Sequence, residues 1–247
     1  VKISVAEIHS YRKCPLYYQF KYTDGIPEDA GVNQELNDKI HRLIYYFYYR
    51  IMNKDIPHLD SIKKKWNSLW YGEMDPMEYI LTPKNDRAEA GHKALPMVDN
   101  FYKSSCTAPG MPLAIEQEFV VNIGDHEVSG IIELVRELQD GPRRVIEIVN
   151  YKTGSQLPTQ WNVDYDLNLS LTSYAFRTLF GAKEQRIAAH YLRSNRIFVT
   201  HRLPEHYDRM ATTVDQVVKS ISRGLFYPKE SYLCNSCYYK NYCTVWK

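Results

Sequence analysis

Apolar positions recur at helical spacing over residues 35–52, where Leu36, Ile40, Leu43, Ile44, Phe47 and Ile51 fall on one stripe. This is the clearest amphipathic helix of the chain. Upstream, Ser4 followed three residues later by Glu7 has the form of a capping box, so a helix starts there. Pro15, directly after Cys14, ends that helix and opens a second one at its first position. From there to about residue 105 the pattern stays helical, broken at Pro57, Pro76, Pro83 and Pro96. The period then changes. Residues 113–123 and 126–138 read as strands joined by Gly124-Asp125, a hairpin signal, and 144–152 as a third strand ending at Thr153-Gly154. Residues 164–181 predict a helix, 186–202 a further strand and 206–223 a last helix, followed by a loop over 224–228. Helix, three strands, helix, strand predicts an α/β fold with a mixed sheet.

The 247 residues suffice for one large domain with a full core of its own. The expected organisation is a single domain over 1–247: an N-terminal segment 1–27, a helical insertion 28–110, a core sheet 111–205 and a C-terminal helix and tail 206–247. A net charge of +2 neither demands nor excludes a nucleic-acid partner. The 21 tyrosines suit stacking on bases, but equally an ordinary core and interface. No apolar run approaches the roughly 18 residues of a membrane span, and Val1-Lys2-Ile3-Ser4 has no signal-peptide profile. The expected location is therefore the cytoplasm.

Cysteine usage changes the picture. Cys14 stands near the start, and Cys234, Cys237 and Cys243 form a tight group at the end. Soft thiolates at this spacing suit an iron-sulphur cluster or a tetrahedral zinc, either of which would clamp the chain ends together. Two disulfides would need an oxidising compartment. Cys106, in Ser-Ser-Cys-Thr-Ala-Pro-Gly, has no ligand-like neighbour and reads as a free thiol.

A second group lies on the strands. Alternation puts Asn150 and Lys152 on one face and Glu147 on the other. Glu133 interrupts the apolar run Gly-Ile-Ile-Glu-Leu-Val, where a carboxylate is costly unless paired or bound to a cation. His41 interrupts the apolar face of the 35–52 helix. Singly these are a core histidine, an edge carboxylate and a solvated lysine. Together they bring imidazole and hard oxygen donors to one sheet edge, which suits Mg²⁺ or Mn²⁺. Lys152 would orient a water nucleophile or stabilise charge on a phosphate.

In order and content these features resemble the RecB-like branch of the PD-(D/E)XK nucleases, in particular its iron-sulphur members such as the CRISPR-adaptation nucleases and the AddB nuclease domain. The resemblance spans nearly the whole chain: Ser-Tyr-Arg-Lys-Cys-Pro around Cys14, the helix bearing His41, Gly-Ile-Ile-Glu at 130–133, Asn-Tyr-Lys-Thr-Gly at 150–154, Tyr174, and the closing Cys234, Cys237 and Cys243. It implies a restriction-endonuclease-like fold, a [4Fe-4S] cluster on the four cysteines, and a cation held by His41, Glu133, Asn150 and the Tyr151 carbonyl. Lys152 would serve the nucleophile, and Tyr174 would stand near the substrate. The implied partner is DNA, as single strands or ends.

Three positions depart from the pattern. Asn150 replaces the acid expected before Tyr-Lys, Glu133 replaces an aspartate, and Ser170 stands where the family carries Gln. An amide oxygen can ligate a cation but brings no charge, so cation affinity and water activation both fall. The changes have two accounts, a deliberate Asp-to-Asn exchange at 150 or natural loss, and the three together favour loss. The expectation is a DNA-processing protein of metal-dependent exonuclease ancestry with activity attenuated through Asn150. The alternative is a non-catalytic DNA-binding or scaffold subunit with a protein partner, whose contact surface would include the tyrosines, Arg143, Arg144 and Arg193. A redox-sensing protein is a third class, disfavoured because four thiolates leave the metal no open position.

Overall fold

The computed structural model describes residues 1–28, 31–72 and 86–245. Strand β1 (Lys2–Ser4) leads into helix α1 (Val5–Lys13), whose start is fixed by the capping box: Glu7 N–H donates to Ser4 Oγ at 3.2 Å, and Ser4 N–H donates back to Glu7 Oε2 at 2.8 Å. Pro15 opens α2 (Pro15–Tyr18), because its missing N–H costs nothing in a first turn. Three long helices follow, α3 (Val32–Met52), α4 (Leu59–Tyr71) and α5 (Asp86–Thr107). Pro76 and Pro83 lie outside the described residues. Pro96 does not break its helix as the sequence suggests: α5 runs through it. Ala94, Met97 and Val98 around it are buried against α3 and α4, and that packing offsets the lost backbone bond.

The sheet is mixed. Strands β2 (Met111–Ile123), β3 (His126–Asp140) and β4 (Arg143–Lys152) form an antiparallel meander. Short helix α6 (Gln160–Asp164) and helix α7 (Leu167–Phe180) then carry the chain across to β5 (Arg186–Tyr191), parallel to β4. The single strand expected over 186–202 is two: β5 turns at Leu192–Asn195 and returns antiparallel as β6 (Arg196–Thr200). Asn195 takes a left-handed φ of 51°, the conformation a tight reversal needs and Asn tolerates, and its side chain reaches His190 at 3.1 Å. Helix α8 (Pro204–Ser222) closes the fold.

Helices cover both faces. Ile148, Ile187 and Ala189 pack under α1, α7 and α8, whereas Val149, Tyr151 and Ala188 pack under α3–α5. Strand β4 thus sends its even-numbered residues to one helical layer and its odd-numbered ones to the other. The odd face holds a buried polar network. Glu147 accepts from Arg136 Nε at 2.7 Å and Arg186 Nε at 2.6 Å, Arg136 Nη1 donates to the Tyr48 hydroxyl at 3.0 Å, and Tyr48 meets the Tyr151 hydroxyl at 3.0 Å. Burial holds the Tyr151 proton far above the usual phenol range.

Removing Glu147 would take the counter-charge from two guanidinium groups, Arg136, which is largely buried, and Arg186, which is a third exposed. Glu147→Ala is expected to lower stability by about 3–5 kcal/mol, as for other broken buried pairs, read as a shift in the urea unfolding midpoint. A loss below about 1 kcal/mol would mean that the network is not closed.

Candidate active site

Strand β3 has two edges. β2 occupies one of them along almost the whole strand. The other is shared: β1 pairs parallel with residues 127–129, and β4 pairs antiparallel from Leu134↔Val149 onwards. Between these two ladders residues 130–133 have no strand partner on this edge, and the sheet carries a notch. Gly130 leaves room there for Phe119 and Val5, since a Cβ at this position would stand 2.6 Å from Phe119 Cζ and 2.9 Å from Val5 Cγ2. Glu133 lies at the rim. Its Oε2 accepts the Tyr151 N–H at 2.8 Å, standing in for the backbone carbonyl that a continuous ladder would supply, and its Oε1 accepts Asn150 Nδ2 at 2.5 Å.

His41 approaches the notch from α3. Its Nδ1 lies 3.8 Å from Glu133 Oε2 and 3.4 Å from the Tyr45 hydroxyl. One helical turn before His41, Asn37 Oδ1 accepts from Thr153 Oγ1 at 2.8 Å, which ties the start of α3 to the loop after Lys152. Asn37, His41 and Tyr45 are spaced i, i+4, i+8 and form a polar line beside the apolar stripe. That spacing is visible in the sequence, but of the three only His41 interrupts the apolar stripe. Glu116 is a further addition. The register places it across β2 from Glu133, with a left-handed φ of 48° that nothing in the local sequence signals. Burial and the charges of Glu133, Glu116 and Asp38 all hold the Tyr45 proton well above the usual phenol range.

Asn150 is almost completely buried, and its Oδ1 has no hydrogen-bond partner. The amide thus spends its donor on Glu133 and leaves its acceptor unmatched, an arrangement that costs free energy unless something else engages the oxygen. Lys152 lies on the same face, and its ammonium forms no hydrogen bond or ion pair among the described residues. It stands near α1, where burial depresses the His9 pKa, the Asp166 charge opposes the fall, and the charges of Arg12 and Lys152 deepen it. The notch therefore brings together His41, Glu133, Asn150 and the Tyr151 backbone, with Lys152 two residues along. Tyr174 is not brought there. Its hydroxyl donates to Asn122 O at 3.1 Å, and Asn122 pairs with Glu127, six positions or about 20 Å along β3 from Glu133. Ser170 back-bonds to Asp166 O on the same helix.

The cysteines form a separate site. Two 3-10 turns, Tyr232–Ser236 and Tyr238–Tyr242, bring Cys234, Cys237 and Cys243 to one cavity with Cys14. Cys14 Sγ accepts the Lys229 N–H at 3.3 Å and Cys234 Sγ the Ser231 N–H at 3.4 Å. Burial pushes the Cys237 thiol up, and the Tyr239 N–H and Lys13 pull it down. Protein contacts already hold the two segments together. The Tyr239 ring is buried against Tyr17 and Phe20 with its hydroxyl on Ile26 O at 2.9 Å, Tyr11 donates to Leu225 O at 2.6 Å, and Leu16 N–H donates to Tyr227 O at 3.1 Å. All five cysteines are unpaired thiols, and Cys106 lies apart, against the α3–α5 core. Among the described residues no three His, Cys, Asp or Glu side chains converge closely enough to form a ready-made metal site. None of their helices is long and apolar enough to cross a membrane.

Comparison with known proteins gives the notch a context. Residues 2–244 match the family profile described as the PD-(D/E)XK nuclease superfamily. No curated protein matches in sequence. Among solved structures, a candidate exonuclease from Eubacterium rectale superposes with a TM-score of 0.52 at 12% identity, over 96% of this chain and 86% of that one. A second, SSO0001, gives a TM-score of 0.34 at 13% identity over 94% and 95%. The first likeness supports the fold.

An acid at position 150 would sit within hydrogen-bond reach of Glu133, and two carboxylates so placed cannot both ionise freely. For Asn150→Asp in EDTA, one folded-state carboxyl pKa is therefore raised. The penalty is absent below the unfolded value of about 3.9 and grows as pH rises towards the folded value. The expected result is a melting-temperature deficit that widens between pH 4.5 and 8. A deficit independent of pH would show that the two side chains do not couple.

Proposed function

The chain belongs to the PD-(D/E)XK nuclease superfamily, and from that membership we propose a DNA-processing protein of its RecB-like, iron-sulphur branch. Its metal-dependent exonuclease chemistry is attenuated by Asn150. The observation that carries this reading is the buried amide hydrogen-bonded to Glu133, with its own oxygen unmatched, beside the only lysine on that strand. An orphaned buried oxygen is a donor that a hard cation would satisfy.

The set that would hold Mg²⁺ or Mn²⁺ is His41, Glu133, Asn150 Oδ1 and the Tyr151 carbonyl. When bound, the cation would polarise the scissile phosphate and acidify a water. The donor types fit, but the set has one carboxylate where the family pattern has two, which is the physical basis of attenuation. The chain's own groups have distinct tasks. Asn150 and the Tyr151 N–H orient Glu133, Tyr45 buttresses His41, and Lys152 offers an uncommitted ammonium to an anionic phosphate or to the water that attacks it.

A non-catalytic DNA-binding or scaffold role draws on a different observation. Both oxygens of Glu133 already accept protein N–H bonds, so this carboxylate is engaged without any cation. At the chain ends, Cys14, Cys234, Cys237 and Cys243 would hold a [4Fe-4S] cluster. Backbone N–H donation to the sulphurs is the kind of contact that tunes such clusters. The cluster would add to a junction that the tyrosines have already formed.

With Mn²⁺ and end-labelled DNA, Asn150→Asp is expected to cut at least about tenfold faster than the parent chain, because it restores the ligand charge. Adding Lys152→Ala to that variant should abolish cutting. Equal rates for parent and Asn150→Asp would remove the attenuation reading, and no cutting by either would favour the scaffold role.

Protein purified without oxygen is expected to be brown, with broad absorbance near about 400 nm that Cys14→Ala or Cys237→Ala abolishes and Cys106→Ala does not. Colourless protein with one zinc per chain would refute the cluster assignment.

A further inference from the structure

Eight residues after Lys152 the chain enters α6, a helix of only five residues held by side-chain hydrogen bonds at both ends. Thr159 and Asn162 close a capping box at its start, with Thr159 N–H donating to Asn162 Oδ1 at 3.1 Å and Asn162 N–H to Thr159 Oγ1 at 3.3 Å. Gln160 Nε2 donates to Asp164 Oδ1 at 2.9 Å and to Val199 O at 3.0 Å, and Thr200 Oγ1 donates to Asp164 at 2.7 Å. Val163 is buried in the core under α7 and α8. Yet this rigid element turns its largest side chain outwards, for Trp161 is 61% exposed. The Tyr165 ring lies beside it, with centroids 5.0 Å apart and planes tilted by 37°.

Guanidinium groups lie nearby, among carboxylates. Arg209 lies over the Tyr165 ring at 5.1 Å, the buried His206 packs edge-on beneath it, and a shallow depression continues past Ser170 to Arg12. Arg12 and Arg209 are exposed, and neither forms an ion pair among the described residues. Of the nearby carboxylates, Asp164 accepts hydrogen bonds as above and Asp166 accepts the Leu169 N–H at 2.9 Å at the start of α7, while Glu205 stands exposed beside His206. A rigid, exposed aromatic pair with free guanidinium groups around it combines a π-face for a base with charge for its phosphates.

We propose that Trp161 and Tyr165, with Arg209 and Arg12, form a stacking site for an unpaired base of single-stranded DNA. The proposal rests on the nucleic-acid reading above and adds a place where the strand is gripped outside the notch. A duplex keeps its bases stacked on one another, so the site selects for an unpaired end. The two places are joined in sequence by residues 153–159, between the end of β4 and the start of α6.

The test is binding of fluorescent oligo(dT) and of a blunt duplex, by anisotropy in EDTA so that nothing is cut. Trp161→Ala should weaken oligo(dT) binding about tenfold, the order expected for one lost base–aromatic stack, and leave the duplex unchanged. Trp161→Phe should stay within about threefold of the parent, because the stack survives. Arg209→Ala should weaken binding and reduce the dependence on salt by about one phosphate contact. If Trp161→Ala binds oligo(dT) as the parent does, the stacking site is refuted while the nuclease reading stands. An equal loss on the duplex would overturn the single-strand assignment. A parent chain that binds no DNA would sink the site and the nucleic-acid reading together.

Discussion

The structure around the notch depends on one carboxylate doing the work of a backbone carbonyl. β3 must give a single edge to two neighbours, a three-residue strand at one end and β4 at the other, and the hydrogen-bond ladder cannot be continuous across the change. Glu133 closes the gap by accepting the Tyr151 N–H. A half-buried carboxylate is best tolerated when its oxygens are matched, and here the unpaired backbone donor and the Asn150 amide match them. The end of β4 is positioned by this contact, and with it Asn150, Lys152 and the loop that follows. The same oxygen faces His41, so the α3 layer and the sheet meet at the one side chain that the ladder could not do without.

The two faces of β4 divide the labour. Glu147 and Tyr151 belong to a buried, closed network, and with Val149 packed between them they fix the sheet to the helices α3–α5. Ile148 packs on the other side, where Asn150 and Lys152 also lie. The network on the first face is satisfied within the protein, whereas on the second Asn150 leaves an acceptor unmatched and Lys152 an ammonium unpaired. Stability and chemistry are thus separated by the two-residue period of a single strand.

Much of this was legible in the chain. The Ser4–Glu7 box, the α3 stripe and the β2–β3 hairpin are local signals, and each appears within a few residues of where the pattern puts it. The opposition of Glu147 to Asn150 follows from alternation alone. Other features depend on contacts distant in sequence. Pro96 reads as a breaker until the packing around it is known, and 186–202 reads as one strand because the apolar pattern resumes after Asn195. Tyr174 was assigned by analogy of order, but its helix points it at the far end of β2. The notch itself could not be read from the sequence, because it arises from where β1 stops and β4 begins on a shared edge. α6 leaves no mark on the pattern, because five residues carry no period.

The C-terminal segment reaches further than its cysteines. Tyr232 donates to Gln156 at 2.9 Å, a bond between residues 76 apart in sequence that joins this segment to the loop after Lys152. The loop therefore has a restraint that originates in neither strand β4 nor helix α6. Displacing the C-terminal segment would remove that restraint and leave strands β4 and β5 as they are.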